Sequence, residues 1–323
     1  MSHEVFLSII IPTYKRPEGL NRLLSSIHRQ RVDFSQVEVL VVNNSESARL
    51  ESEEVCNGFK IKGMQIRFIH QSLTGSSFAK NLGIENANGK WLAFLDDDEE
   101  IVANYLEVLL PLLHCVERYT VLGGPYFPIF DSKKPRWMKE EYFIISFGNT
   151  PRLLSKNEFL LGGNLIVSKS LSDLTGGYLT NYGHKGNRSG YGEDTEYISR
   201  ALKKGAIQSY YPSLAIYHHI PVGRMKLEWF KQQKKLSSLA KARVYLLSNP
   251  VPRNYFARLK MRIYYLKTAI TYLCQMVLLI CAGPFRNQDV FRFHENYWIE
   301  KISPVYARYR INVELYKLIN EDY

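Results

Sequence analysis

Three consecutive aspartates, Asp96, Asp97 and Asp98, directly follow the apolar run Trp91–Leu95. On an extended chain alternate side chains point the same way, so Asp96 and Asp98 can share a site while Asp97 points elsewhere. Carboxylates that lie close together raise each other's pKa unless a cation neutralises them. Hard divalent cations prefer oxygen ligands, and such ligands serve Mg²⁺ and Mn²⁺ alike. The three aspartates therefore indicate a divalent-cation site, with a solvated turn as an equal alternative.

Four further acids begin predicted helices. Glu99 and Glu100 are interpreted as solvated residues at the N-terminus of the next helix, where negative charge suits the helix dipole. Glu193 and Asp194 open the helix predicted from "GEDTEYISRALKKGA". From the residues alone, a capping role is the better interpretation of Asp194.

Two other polar patterns have less specific chemistry. His218 and His219 follow the predicted strand "PSLAIY", where a lone histidine is usually structural. The glycine-rich stretch "GHKGNRSGYGED" lacks both the G-x-x-x-x-G-K-[ST] pattern and a preceding strand, so a phosphate-binding loop is rejected. Its Lys185 and Arg188 are instead predicted to lie in a mobile lid.

The elements that must position these side chains alternate regularly. Short apolar runs predict strands at 6–12, 37–42, 64–70 and 90–95, and helical spacing predicts helices from Pro17, over 76–87 and over 101–116, with a loop at 43–63. This order predicts an α/β fold with a mostly parallel sheet flanked by helices. Ligands of such sheets bind beyond the carboxyl ends of the strands, where "PTYKR", "NNSES" and "DDDEE" stand.

Charge is divided unevenly along the 323 residues. Residues 1–198 hold 21 Lys and Arg against 24 Asp and Glu, whereas residues 199–323 hold 21 against 7. A basic half favours partners that carry phosphate, such as nucleic acid, an anionic membrane surface or an acidic ligand. The charge alone does not choose among them.

The C-terminal region also carries an apolar stretch at 264–283. Its core "TAITYLCQMVLLICAG" is shorter than the ~20 residues that a membrane-spanning helix needs. We rank a buried helix of a C-terminal bundle first, an interfacial helix close behind, and a membrane insertion third. Four scattered cysteines and an N-terminus without a leader pattern predict a cytoplasmic protein, or one at the cytoplasmic face of a membrane.

Five segments together carry a family resemblance. "SIIIPTYKRPEGL", "VEVLVVNNS", "SFAKNLGIENANGKWLAFLDDD", "LLGGNLIVSKS" and "GYGEDTEYISRALKKGA" occur in this order. From about residue 7 to residue 224 the chain resembles the family 2 inverting glycosyltransferases, whose nucleotide-sugar-binding domain has the GT-A fold. The resemblance implies a glycosyltransferase domain at 1–224, with a nucleotide-binding half at 1–124 and an acceptor-binding half at 125–224. A basic helical region follows at 225–323.

The resemblance also implies roles for individual residues. Asp194 matches the catalytic base, and the metal ligands are Asp98, which is the direct one, with Asp96 and His218. The nucleotide-binding set comprises Pro12, Thr13, Tyr14, Arg16, Asn43, Lys80, Asp96 and Asp97. The acceptor-side set comprises Trp137, Gly163, Asn164 and Glu193, with Gly162 in the same turn. Asn43 departs from the aspartate usual in the family, and Lys80 from a frequent arginine.

The expected reaction moves a sugar from a nucleotide-diphosphate sugar, with UDP-sugars favoured, to a glycan or lipid-linked acceptor, with Mn²⁺ or Mg²⁺ as cofactor. This would serve cell-surface polysaccharide synthesis, and an anionic membrane surface is an expected partner. A sugar nucleotidyltransferase is the enzymatic alternative, but "PTYKRPEG" matches its phosphate loop poorly. A basic nucleic-acid-binding or membrane-scaffold protein is the other alternative. Helix-turn-helix, zinc-binding and aromatic RNA-binding signatures are missing from the sequence, so no nucleic-acid partner is expected.

Overall fold

The computed structural model of the protein describes residues 4–155, 158–183, 191–282 and 298–320. The predicted lid residues Lys185 and Arg188 lie outside these ranges. The chain forms two compact units: Met1–Ile129 with Glu140–His219, and Phe130–Lys139 with Ile220–Tyr323. The segment Phe130–Lys139, which the sequence assigned to the acceptor-binding half, thus groups with the C-terminal residues.

The first unit is built on a mixed eight-stranded sheet. Its strands are β1 (Leu7–Thr13), β2 (Val37–Asn43), β3 (Ile66–His70), β4 (Trp91–Leu95), β6 (Thr120–Gly123), β8 (Arg152–Leu153), β9 (Asn164–Ser168) and β10 (Ile207–Tyr210). They lie in the order β3-β2-β1-β4-β9-β6-β10-β8. The strands from β3 to β4 are parallel, as predicted, whereas β9 runs antiparallel to both its neighbours.

A smaller sheet contains three strands in the order β5-β11-β7. They are β5 (Glu99–Ile101), β7 (Tyr126–Phe130) and β11 (Ile216–Ile220). The antiparallel register of β11 and β5 places His218 opposite Glu99. The small sheet therefore brings the histidine pair next to the segment that follows the three aspartates.

Helices cover the large sheet. In the first unit they are α1 (Pro17–His28), α2 (Arg49–Ile61), α3 (Ser76–Asn86), α4 (Tyr105–Cys115), α5 (Lys169–Thr175) and α6 (Glu193–Lys203). Short 3₁₀ turns occur at Phe34–Gln36, Glu46–Ala48, Glu140–Tyr142 and Val222–Arg224. Apolar side chains of α1 and α4 pack with those of β1, β2 and β4 in one buried cluster, and a second cluster lies between the sheet and α6.

The central strands are buried because both faces of the sheet are covered. Every residue of β2 and β4 is buried, and so are all of β1 except Pro12. β1 and β4 pair in register, with Ile10 opposite Phe94. Their carboxyl ends therefore meet at one edge, which is where parallel α/β sheets bind ligands.

Three local predictions were wrong. The predicted loop at 43–63 contains α2, whose buried residues are only Ser52, Cys56 and Phe59. Glu99 and Glu100 do not begin a helix in solvent: they form β5, and α4 starts only at Tyr105. The two histidines do not follow a strand but lie inside β11, so their side chains point to opposite faces.

The second unit is mainly helical. It contains α7 (Leu227–Ser248), α8 (Tyr255–Ala282), a π-helical segment at Trp298–Ile302 and α9 (Ser303–Asn320). Its apolar centre comprises Ala242, Tyr265, Leu315, Leu318 and Ile319. The ranking of 264–283 as a buried helix was wrong, because α8 is longer than predicted and buries only Tyr265 and Ala269.

Candidate active site

Asp97 anchors the loop between β1 and α1. Its Oδ2 accepts hydrogen bonds from the Thr13 hydroxyl at 2.8 Å and the Tyr14 backbone N–H at 3.1 Å, and its Oδ1 accepts one from Arg16 at 2.9 Å. Burial raises the pKa of Asp97 to about 6, with Arg16 opposing the shift and Asp98 adding to it. Because three donors already occupy this carboxylate, Asp97 holds the nucleotide-side loop to the aspartate turn.

The loop that Asp97 holds has a strained backbone. Lys15 has φ 57°, and it is the one non-glycine with positive φ within the described ranges. Gly19, at the start of α1, faces the backbone of Asp97 so closely that a Cβ there would lie 2.4 Å from the Asp97 carbonyl oxygen. The sequence "PTYKRPEG" is therefore fitted tightly against the acidic turn.

Asp98 lies between a cation and a histidine. Its Oδ2 accepts a hydrogen bond from Arg16 at 3.0 Å and lies 3.5 Å from Nε2 of His218. The backbone N–H of His219 donates to the Asp98 carbonyl oxygen at 2.9 Å, which ties β11 to the turn. His219 itself points away, and its Nε2 lies 2.8 Å from Oε1 of Glu100. The alternation along β11 therefore selects His218 as the histidine that faces Asp98.

The residues present fit a divalent cation that also binds substrate. Asp98 offers carboxylate oxygen and His218 offers an imidazole nitrogen at the same point, and both are accepted ligands of such ions. Asp96 is half-buried, and within the described residues no hydrogen bond reaches its side chain. A complete cluster of three His, Cys, Asp or Glu ligands does not occur among those residues. The site thus suits an ion that takes its remaining ligands from substrate phosphates, as Mg²⁺ commonly does.

Glu99 is a buried carboxyl group behind the aspartates. It is 2% exposed, and its Oε2 accepts a hydrogen bond from the Asp96 backbone N–H at 2.9 Å. Burial, followed by the charges of Asp96 and Asp98, raises the pKa of Glu99 well above its ordinary value. Sequence reasoning missed this residue because a run of five acids looks like a solvated turn.

Lys80 and Asp194 form an ion pair in which the lysine is buried and the aspartate is half-buried. Lys80 is 2% exposed, and its Nζ donates to Oδ1 of Asp194 at 2.6 Å while lying 5.0 Å from the centre of the Tyr178 ring. Burial lowers the pKa of Lys80, but Asp194, Asp96 and Glu193 outweigh that effect and the net pKa is raised. The lysine therefore stays charged beside the Asp194 side chain.

Gly162 and Gly163 form the turn that passes over these carboxylates. A Cβ on Gly162 would lie 1.9 Å from Cγ of Asp194, and one on Gly163 would lie 2.1 Å from Oε1 of Glu99 and 2.8 Å from Oδ2 of Asp96. A side chain at either position would therefore force the facing carboxylate to move. The glycines therefore allow the backbone to approach both the Asp194 side and the Asp96 side of the site.

Glu193 lies beside the Lys80 pair. It is 7% exposed, and its Oε1 accepts a hydrogen bond from the Ser76 hydroxyl at 3.2 Å. Burial, followed by the charge of Asp194, raises the pKa of Glu193 to about 7. Glu193 and Asp194 begin α6 but make no side-chain cap bond, since the cap position is Gly192 with φ 96°. The side-chain capping interpretation of Asp194 was therefore wrong, whereas both acids lie in the first turn of α6, where negative charge suits the helix dipole.

The nucleotide-side residue Asn43 is buried at the end of β2. Its amide group donates to the Ser45 carbonyl oxygen at 2.8 Å and lies 3.2 Å from Nδ1 of His70. The other ring nitrogen of His70, Nε2, lies 3.0 Å from Oε2 of Glu46. His70 is thus a further polar residue at this strand edge that the sequence did not single out.

Three predicted site residues, two on the acceptor side and one on the nucleotide side, make contacts within the protein. The Asn164 side chain is buried, accepts a hydrogen bond from the Tyr105 hydroxyl at 2.5 Å and donates to the Leu214 carbonyl oxygen at 2.7 Å. Trp137 belongs to the second unit, where its ring packs edge-on against Phe230. Pro12 lies in β1 opposite Val42 of β2. These contacts leave the predicted substrate roles of the three residues as predictions.

The structure brings most of the predicted residues into one cluster. Thr13, Tyr14 and Arg16 meet Asp97 and Asp98, His218 meets Asp98, and Lys80 meets Asp194. The turn of Gly162 and Gly163 contacts both Asp194 and Asp96. The cluster can neutralise negative charge on one side and take up a proton on the other.

Known proteins resemble this chain in sequence. Residues 8–174, just over half of the chain, match the family described as glycosyl transferase family 2. The succinoglycan biosynthesis protein ExoM of Rhizobium meliloti (strain 1021) is 25% identical over 232 residues, or 71% of each chain. The GalNAc(5)-diNAcBac-PP-undecaprenol beta-1,3-glucosyltransferase of Campylobacter jejuni is 31% identical over 106 residues, or 32% of this chain and 33% of that one.

Solved structures share the fold. TarS residues 1–349 of S. aureus, in complex with UDP, align with a TM-score of 0.54 and 15% identity over 98% of this chain and 90% of that one. GalNAc-T7 with UDP, GalNAc and Mn²⁺ aligns with a TM-score of 0.55 and 15% identity, and the match spans 75% of this chain and about half (51%) of that one. At this identity the likeness concerns the fold, and it confirms the predicted GT-A type.

The family match also removes the two rival interpretations. A nucleotidyltransferase or a non-enzymatic basic protein is not supported, because the matched residues 8–174 include the strands and aspartates on which the site is built. The chain belongs to glycosyl transferase family 2, and it is a glycosyltransferase.

Proposed function

We propose that the protein transfers a sugar from a nucleotide-diphosphate sugar, most favourably a UDP-sugar, to a hydroxyl of a glycan or lipid-linked acceptor, with inversion at the anomeric carbon. A place in cell-surface polysaccharide synthesis agrees with relatives named for succinoglycan biosynthesis and for an undecaprenol-linked glycan. The UDP preference draws support from two structural neighbours that contain UDP.

One observation carries the proposal: a charged pair, Lys80 and Asp194, stands beside the aspartate turn with only a two-glycine turn over them. Glycosyl transfer needs negative charge to be stabilised on the leaving diphosphate and a proton to be removed from the acceptor hydroxyl. The arrangement offers both functions within one site. Asp98, His218 and Arg16 serve the first, and Asp194 serves the second.

In this mechanism Asp194 is the general base. Lys80 occupies its Oδ1, so Oδ2 remains to accept the proton of the acceptor hydroxyl. As that proton leaves, the acceptor oxygen bonds to the anomeric carbon, and the bond from that carbon to the diphosphate oxygen breaks with its electron pair. The products are the glycoside, a nucleoside diphosphate and a protonated Asp194.

On the donor side, the loop at Thr13, Tyr14 and Arg16 would hold the nucleotide, with Arg16 placed to meet diphosphate charge. Asp98, His218 and Asp96 would hold Mn²⁺ or Mg²⁺. When bound, such an ion supplies Lewis-acid stabilisation of the diphosphate oxygens. Asp97 and Asn43 shape the pocket through the contacts they already make to the loop backbone and to His70.

The test is a panel of UDP-, GDP- and dTDP-sugars assayed for nucleoside diphosphate release, with donor binding measured by calorimetry with and without Mn²⁺. We expect Asp194→Asn to lose transfer by about 10²–10⁴-fold, the usual contribution of a general base, while it still binds donor. We expect Asp98→Ala to lose the Mn²⁺-dependent part of donor binding as well.

Asp173→Asn is the matched control, because this exposed acid on α5 pairs only with Lys169 among the described residues. Its activity should equal that of the wild type. Turnover in Asp194→Asn at the wild-type rate would remove that residue from the mechanism. Release of pyrophosphate from a nucleoside triphosphate, without diphosphate release from any sugar nucleotide, would contradict the proposed reaction.

A further inference from the structure

The outward face of α8 carries an apolar stripe that the second unit does not cover. Its side chains recur every three or four residues and are 38–51% exposed: Ile263, Leu266, Ile270, Leu273, Val277 and Ile280. On a helix this spacing places them along one side. The opposite side packs inward, where Tyr265 joins the buried cluster with Ala242 and Leu315.

An exposed stripe of this length is unusual in a protein surrounded only by water, and contiguous apolar patches of this kind mark interaction sites. Within the described part of the chain, α8 is the one helix long and apolar enough to cross a membrane, and 11% of its most apolar window is buried. The length and exposure of α8 admit two occupants, a lipid surface and a second copy of this chain.

Charge distinguishes these occupants. Over its 28 residues α8 carries four basic side chains, Arg258, Lys260, Arg262 and Lys267, and no acidic one. Lys267 stands four residues after Ile263 and three before Ile270, so it borders the stripe. In a parallel two-stranded pairing through the stripe, Arg262 of one helix would face Lys267 of the other, with no acid available to compensate. An anionic surface meets the same charges with attraction.

The distribution of charge along α8 also favours a helix that lies on the membrane over one that crosses it. All four basic residues lie in the first half, and residues 268–282 are uncharged. At 1.5 Å per residue that uncharged part is only about 22 Å long, against about 30 Å for a bilayer core. Lysine side chains beside an apolar stripe can extend to the headgroups while the stripe enters the acyl boundary.

We propose that the exposed face of α8 docks the enzyme onto an anionic lipid bilayer, with the apolar stripe at the acyl boundary and Lys260 and Lys267 at the headgroups. Lipid binding stands on α8 alone and does not depend on the proposed transfer reaction. Only its use, to bring the site to a lipid-linked acceptor, rests on that reaction.

The experiment is flotation of the full-length protein with phosphatidylcholine vesicles, with and without about 30% phosphatidylglycerol, at low and physiological salt. We expect binding to the anionic vesicles that weakens as salt rises. Lys260→Gln with Lys267→Gln should reduce binding about 25-fold, since each basic residue near an anionic surface contributes about fivefold. Ile270→Asp with Val277→Asp should reduce it by at least tenfold.

Matched controls come from the first unit. Ile61 is 87% exposed and Leu50 is 75% exposed, so Leu50→Asp with Ile61→Asp removes comparable apolar surface elsewhere. Lys60→Gln with Lys90→Gln removes two exposed charges elsewhere. Both controls should bind vesicles like the wild type, and circular dichroism should confirm that every variant is folded.

Three results would overturn the proposal. One is failure of the wild type to float with anionic vesicles at physiological salt. Another is binding to neutral vesicles as tight as to anionic ones. The third is a concentration-dependent dimer in analytical ultracentrifugation that is lost in Ile270→Asp with Val277→Asp, because it would assign the stripe to a second copy. Loss or retention of donor turnover is measured separately and bears only on the proposed function.

Discussion

Lys80 keeps a full positive charge in the interior of the first unit, with carboxylates around it. Its sequence position predicted a role in binding the donor phosphate, and the structure adds a contact that the sequence did not predict. Its Nζ donates to Oδ1 of Asp194 at 2.6 Å and so restrains the orientation of that carboxylate. We therefore regard Lys80 as a positioning residue for the base.

Lys80→Met should destabilise the protein by about 1–3 kcal/mol, because it leaves the half-buried Asp194 carboxylate without its hydrogen-bond donor. Urea unfolding measures this loss. The double variant Lys80→Met with Asp194→Asn should recover part of it, since no lone charge remains. Equal stability of the single and double variants would mean that the two side chains are not energetically coupled.

Tyr126 offers a second prediction at the residue scale. Its hydroxyl is buried and has no hydrogen-bond partner among the described residues. A buried polar group without a partner costs free energy, so Tyr126→Phe should keep the free energy of unfolding or raise it by up to about 1 kcal/mol. Urea unfolding of the metal-free protein measures the change.

Tyr105→Phe is the matched comparison, because the Tyr105 hydroxyl donates to Asn164. It should lose about 1–2 kcal/mol, since the buried amide oxygen is left without its donor. If both tyrosine variants lose the same stability, a bound water must satisfy the Tyr126 hydroxyl.

The sequence predicted which residues form the site better than it predicted the contacts between them. The aspartates, Lys80 and Asp194 could be picked out because the motifs that carry them occur in order. The bond between Lys80 and Asp194 could not, because it joins positions 114 apart that meet only through the fold. Glu99 was not predicted as a site residue because the sequence does not show which of several neighbouring acids is buried.

At the scale of elements, the turn at Gly162 and Gly163 sets the spacing of the site. Gly162→Ala places a Cβ where Cγ of Asp194 stands, so the base must move. We expect kcat to fall by about 10²-fold, the penalty typical of misplacing a catalytic group by about 1 Å. Donor affinity, measured by calorimetry, should change little.

Gly58→Ala is the control for that substitution. Gly58 lies in α2, and a Cβ there meets nothing within 4 Å. Alanine is the better helix former, so this variant should be more stable by about 0.5–1 kcal/mol and fully active. A similar loss of kcat in both variants would refute the close contact at Gly162.

Elements with regular apolar spacing were predictable, and irregular ones were not. The strands before and after α1 and α3 could be predicted because they are short apolar runs. Helix α2 was not predicted because few of its residues are buried and its sequence "RLESEEVCNGFKI" is mostly polar. Strand β5 was not predicted because its three residues are extended through their pairing with β11, which lies more than a hundred residues away in the sequence.

For the whole molecule, ligand binding should appear as added stability. A ligand at one hundred times its Kd stabilises the folded state by about 2.7 kcal/mol. We expect UDP to raise Tm more strongly with Mn²⁺ than after chelation with EDTA, because the protein alone supplies few metal ligands. In Asp98→Ala the Mn²⁺-dependent increment should vanish, whereas Asp173→Asn should retain it.

The division of the chain into two units was harder to predict than the division of its charge. Composition revealed the basic C-terminal half at once. It could not reveal that Phe130–Lys139 belongs to the second unit while the residues on both sides belong to the first. That assignment depends on where β7 and β11 end.

The long-range pairing of Lys80 with Asp194 has a practical consequence for truncation. The family match ends at residue 174, so an expression boundary drawn there would separate the lysine from the acid that neutralises it. The truncated product would keep strands β1 to β9 and yet hold the Lys80 ammonium group in its interior without the Asp194 carboxylate. Shortened versions for crystallisation should therefore extend at least through β11.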